Sequence, residues 1–113
     1  METLEESVGD IKILHLRGRL DLAAAPTFES RVKILISSGE RKIVLDCRDL
    51  KYVSSSGIGA FVACAKEMST RGTIVFASLN QHVESLFEMT GISRVLTVCK
   101  TKEDAVGRLA SVQ

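Results

Sequence analysis

The run Ile43-Val44-Leu45-Asp46-Cys47-Arg48-Asp49-Leu50-Lys51-Tyr52-Val53-Ser54-Ser55-Ser56-Gly57-Ile58-Gly59 decides the fold, because a β-branched apolar segment passes through a polar stretch and three serines into small residues. Ile43 to Leu45 reads as a buried strand, the polar residues after it as a short loop, and Gly57 to Ser69 as a helix. The same alternation continues outward. Ile11 to Leu16, Thr73 to Phe76 and Val95 to Val98 are further apolar runs that read as buried strands. Pro26 suits a helix's first turn, where its missing N–H is not needed, and Phe28, Val32, Leu35 and Ile36 then draw one apolar stripe. Gln81 to Met89 carries Val83, Leu86 and Phe87 on one face with Gly91 as its stop, and Lys102 to Ser111 places Ala105 and Leu109 four apart. Leu4 to Val8 lies close enough to the first apolar run to pair with it as a hairpin. The expected product is an α/β sandwich with a mixed, mostly parallel sheet of about five strands and about four helices, joined by right-handed crossovers.

The chain has 113 residues, with 45% hydrophobic and 26% charged, which suits one globular domain spanning 1–113. Fifteen Lys and Arg against 14 Asp and Glu give a net charge of +1, so no broad basic field exists for a nucleic-acid backbone. The start, METLEESVGD, is acidic and lacks the order of a secretory signal, and no apolar run reaches the roughly 20 residues that cross a bilayer. A cytoplasmic protein without membrane insertion is expected.

Little in the sequence suits catalysis. Cys47, Cys64 and Cys99 form an odd set without a CxxC pair and read as small buried hydrophobes. Only His15 and His82 could supply imidazole, and His15, within an apolar strand, reads as structural or surface-facing. Val53 stands where a serine-hydrolase elbow needs glycine, and no Gly-Lys-Ser/Thr follows a glycine-rich loop. Asp21, Asp46 and Asp49 fall on separate elements without histidine support, so solvated or capping roles are expected of them rather than a metal site. Phe61, Met68 and Phe87 sit at core spacing. No catalytic residue, metal or cofactor is assigned, and the chain is read as a non-enzyme.

Ser54, Ser55 and Ser56 can cap the unpartnered N–H groups of the helix that follows, and the helix dipole makes the same spot receptive to a phosphate. Taken alone, such a pattern is most often just a cap and a turn. Gly57 and Gly59 each carry a helix penalty of up to about 1 kcal/mol, which either close approach by a partner or tight packing on the neighbouring strand would justify.

Three motifs in order resemble a known family: Arg17-Gly18-Arg19-Leu20-Asp21; Ile43-Val44-Leu45-Asp46 leading to Tyr52-Val53-Ser54-Ser55-Ser56-Gly57-Ile58-Gly59; and Leu86-Phe87-Glu88-Met89-Thr90-Gly91-Ile92. From about Leu4 to Leu109 the chain resembles STAS domains, most of all the bacterial anti-sigma factor antagonists. The resemblance implies a switch protein whose unphosphorylated form binds an anti-sigma factor that is also a serine kinase of the histidine-kinase-like ATPase fold, so releasing a sigma factor. Phosphorylation then separates the pair, and a PP2C-type phosphatase restores the serine. Aligned on Gly57 and Gly59, the acceptor falls on Ser55, with Ser54 and Ser56 in reserve. Asp21, Ser54, Ser55, Ser56, Gly57 and Gly59 would form the partner-binding surface. Ser54 replaces the aspartate common before the acceptor, which removes a like charge beside an incoming phosphate and adds a competing hydroxyl. Two other uses of such a domain are a stand-alone regulatory subunit of a lipid transporter or signalling scaffold, and a binder of a phosphate-bearing nucleotide at the Ser54 to Gly57 loop.

Overall fold

β1 (Glu2–Val8) and β2 (Ile11–Leu20) form the expected antiparallel hairpin, after which α1 (Ala25–Ser37), β3 (Lys42–Val53), α2 (Ser55–Met68), β4 (Thr73–Ala77), α3 (Gln81–Thr90), β5 (Thr97–Cys99) and α4 (Lys102–Ala110) follow. These come from a computed structural model that describes residues 1–111; the last two positions of the expected 1–113 domain lie outside the described residues. The sheet runs in the order β1-β2-β3-β4-β5, with β2 to β5 parallel. Because the parallel strands advance in one direction, crossovers of one hand place α1, α2 and α3 together on one face.

That face holds the main core. Phe28 of α1, Phe61 of α2, Phe76 of β4 and Phe87 of α3 meet edge to face, with Phe61 at 4.9 Å from Phe76, 5.5 Å from Phe28 and 5.9 Å from Phe87 between ring centroids. The stripe Phe28, Val32, Leu35 and Ile36 is buried as its spacing requires. On the other face α4 packs alone, closing a smaller cluster of Ile11, Ile13, Val44, Val75, Ala77, Ala105 and Leu109. Among the described residues, no helix is long and apolar enough to cross a membrane.

Four sequence expectations need correction. The strand expected at Ile43 to Leu45 continues to Val53, because two register shifts against β2 each insert one residue and so return Leu50 and Val53 to the core. The stretch expected as a loop is therefore bulged strand. The last strand lies at Thr97–Cys99, since Ile92–Arg94 forms a 3-10 turn that turns Val95 out to 72% exposure. As a short edge strand, β5 is not buried as expected. Leu86, expected on the packed face of α3, is half-buried while Val83 and Phe87 carry the contact. Asp46 is neither solvated nor simply a cap: it is 7% exposed, and its Oδ2 lies 2.7 Å from His15 Nδ1.

His15 also reaches Glu6 on β1, with Nε2 at 2.8 Å from Oε1, so one imidazole ties β1 to β3 across β2. The hydrogen bond from His15, aided by the charge of Lys102, holds the Glu6 carboxyl below its ordinary value of 4.5. A carboxylate lowered on folding contributes stability above its unfolded value and loses it as pH falls through the folded value. Urea midpoints measured on acidification should therefore fall less steeply for Glu6→Gln than for the parent protein, and identical acid limbs would rule this contact out as a contributor.

Burial raises both core thiols, Cys64 to about 12 with Glu29 adding to the effect, so neither Cys47 nor Cys64 is a ready nucleophile. Cys99 is half-buried.

Candidate functional site

β2 and β3 end side by side, Leu20 in register with Val53, and the Ser54 N–H donates to the Leu20 carbonyl at 2.9 Å. The turn into α1 and the start of α2 are thereby fixed at the same carboxyl edge of the sheet. In the first turn Asp21 Oδ1 accepts from the Ala24 N–H at 3.0 Å, while the Asp21 carbonyl accepts from Ala24 and Ala25. Asp21 thus closes the turn that precedes α1 rather than capping the helix, whose N-cap Ala24 has no side-chain partner, and it is half-buried.

The three serines differ sharply in setting. Ser54 is the N-cap of α2, its Oγ accepting from the Gly57 N–H at 3.2 Å and its carbonyl from Ile58 at 2.9 Å. Losing such a cap costs about 1 kcal/mol, so Ser54 has structural work of its own. Ser55 is the first helical residue and is exposed, with no side-chain hydrogen bond to the described residues. Ser56 is half-buried in the same turn. The sequence reading placed all three ahead of the helix, but only Ser54 precedes it, because the Ser54 cap lets Ser55 and Ser56 join the first turn.

No acidic side chain occupies the first turn of α2, so the partial positive charge there is unopposed by its own helix. Leu22, 74% exposed, and exposed Ala23 flank the site on the β2–α1 turn. The edge therefore offers an apolar rim and two hydroxyls without a side-chain hydrogen bond among the described residues, of which only that of Ser55 is on an exposed residue.

The two glycines part company. A Cβ on Gly57 would lie 2.7 Å from the Leu20 carbonyl oxygen and 2.8 Å from Val53 Cγ1, so this position is glycine because the strand ends press against the helix. A Cβ on exposed Gly59 would meet nothing within 4 Å. Packing accounts for Gly57; among the described residues nothing accounts for Gly59. Gly57→Ala should destabilise by about 1–3 kcal/mol through overpacking, a fall of several degrees in Tm for a domain of this size. Gly59→Ala should leave Tm level or raise it, since alanine is the better helix former. Melting curves of the two variants side by side check this, and a Tm loss in Gly59→Ala would contradict the open setting.

One group escaped the sequence reading. Arg19 Cζ lies 4.3 Å over the centre of the Tyr52 ring, and Tyr52 stacks on His82 of α3 at 6.4 Å between centroids with 15° between planes. The available signal was alternation: with Leu16 and Leu20 in the core, Arg17 and Arg19 must face the other side.

The family model described as STAS domain matches residues 4–105. A provisionally named anti-sigma factor antagonist, BtrV, from Bordetella bronchiseptica is 29% identical over 106 residues, covering 93% of this chain and 91% of its own. The anti-sigma-B factor antagonist of Bacillus subtilis is 25% identical over 105 residues, covering 91% and 94%. Among solved structures, an anti-sigma factor antagonist from Mycobacterium paratuberculosis superposes with a TM-score of 0.91 at 16% identity, over 97% of this chain and 94% of its own. The Bacillus cell fate determinant SpoIIAA in its phosphorylated form superposes with a TM-score of 0.72 at 21% identity, over 95% and 98%. At such identities the two structures speak to the fold alone.

Proposed function

The chain belongs to the STAS domain family, and we propose that within it the protein is a phosphorylation-controlled anti-sigma factor antagonist. In this reading the carboxyl edge bearing Asp21, Ser54, Ser55, Ser56, Gly57 and Gly59 binds an anti-sigma factor that is also a serine kinase of the histidine-kinase-like ATPase fold. The kinase phosphorylates Ser55, the complex separates, and a PP2C-type phosphatase resets the switch. The observation that carries the reading is the exposure of Ser55 at the first position of α2, with its hydroxyl uncommitted while Ser54 caps the helix. The relatives named as anti-sigma factor antagonists, matched over nearly their whole length, supply the class of partner.

Charge is the signal in this mechanism. Phosphorylation adds about −1.5 to −2 charges. The helix N-terminus accommodates that charge within the monomer, contributing about 0.3–1 kcal/mol in its favour. A partner packed against the edge must instead desolvate it, at a cost of several kcal/mol where no cation compensates. The binding edge can therefore be switched without refolding the domain.

Mass spectrometry of the tryptic peptide from Tyr52 to Lys66, taken from cells, tests the assignment. Phosphate on Ser55 is the expected result. Phosphate confined to Ser54 or Ser56 would move the acceptor, and a peptide never modified under any growth condition would remove kinase control from the proposal.

A further inference from the structure

On the second sheet face α4 covers the amino half of β2 and β3, over Ile11, Ile13 and Val44, together with Val75 and Ala77 of β4, and among the described residues the carboxyl half of β2 and β3 carries no helix. There the strand alternation turns Arg17 and Arg19 outward, opposite Asp49 and Tyr52 in register. The two bulges in β3 fall in the same region, where Arg48 and Lys51 are exposed. Among the described residues, none of Arg17, Arg19, Arg48 and Lys51 is paired with a carboxylate. A protein with a net charge of +1 thus gathers four free cations on one uncovered half-face. Arg19 is further held in place by its stack on Tyr52 and, through Tyr52, on His82.

We infer that this half-face is a docking surface for an acidic segment of a protein partner, with Arg19 as its anchor. Three features favour protein carboxylates over a phosphate polymer or a lipid surface. Three of the four cations are arginine, which protein interfaces favour while they are poor in lysine, and its planar fork pairs with a carboxylate in two parallel hydrogen bonds. The stack fixes that fork beforehand, so less side-chain entropy is lost on binding, and arginine beside tyrosine is the pairing that dominates interface energetics. With Asp49 set opposite Arg17 inside the patch and a net charge of only +1, the face also lacks the broad basic field that a phosphate polymer needs. None of this depends on Ser55, so the surface and the switch can fail separately.

The test is an NMR titration of the isotope-labelled protein with a short oligo-glutamate peptide, repeated with single-stranded oligothymidylate and with phosphatidylserine vesicles. The expected result is a shift of the Arg17, Arg19, Arg48, Lys51 and Tyr52 amides by the peptide, weakening with added salt, while Lys33 and Lys66 stay unmoved. Arg19→Ala should weaken the peptide by about fivefold. Arg19→Lys should do nearly the same, because charge without the fork does not replace it. Unchanged melting curves would show that both variants are folded. The inference is overturned by absent shifts at these residues, by shifts spread over all surface lysines, by full retention of binding in Arg19→Lys, or by tighter binding of the oligonucleotide or vesicles at the same residues.

Discussion

Phe61→Ala should lower the stability of the domain by about 3–5 kcal/mol, a large part of the 5–15 kcal/mol that keeps a protein of this size folded. Phe61 is fully buried and its ring is shared by three others, so truncation loses contacts to α1, β4 and α3 at once. Aromatic pairs contribute about 0.5–1.5 kcal/mol beyond the area they bury, which argues for the upper part of that range. The consequence reaches the functional edge. Phe61 lies on the same helix as Ser55, and its removal loosens the seat that holds the start of α2 against Leu20 and Val53. Urea titration checks the prediction; a loss below about 1 kcal/mol would mean that the neighbouring rings refill the space.

Ser55→Asp should leave the fold intact and reduce affinity for the partner by a hundredfold or more, which corresponds to about 2.7 kcal/mol. The two halves of this expectation rest on different environments of one charge. Inside the monomer a carboxylate at the first helical position is favourable, so Tm should hold or rise slightly. Across a closed interface the same carboxylate is desolvated without a counter-ion. Ser55→Ala, which is uncharged, should bind as the unmodified protein does and should not respond to ATP. Equal affinity of the Asp and Ala variants, measured on the same partner, would remove charge as the signal.

Most of the architecture was legible because it depends on burial, and burial writes a period into the sequence. The stripe from Phe28 to Ile36 and the Gly91 stop were readable for that reason, Gly91 taking φ 76° as the helix end requires. What escaped was the second half of β3. Bulges break the period of two, so Leu50 and Val53 do not alternate with Leu45 and Cys47, and the stretch between them reads as loop. The contact of His15 with Asp46 was hidden similarly: it joins residues 31 apart whose register only the sheet fixes. At the site, the serine run was visible at once, but its division into a cap and a free hydroxyl depends on where the helix begins, and that boundary turns on one side-chain hydrogen bond. The contrast between Gly57 and Gly59 lay wholly in the third dimension.

The most direct measurement is affinity capture from the native cell lysate on two parallel columns, one bearing unmodified protein and the other the same protein phosphorylated at Ser55, followed by titration of the retained protein against both forms. The switch mechanism predicts that the unmodified column retains a histidine-kinase-like ATPase and that the phosphorylated form binds it at least about a hundredfold more weakly. Equal retention of that ATPase by both columns, or retention of a transporter subunit by both with no kinase on either, would contradict it and return Ser55 to the role of a helix-start residue.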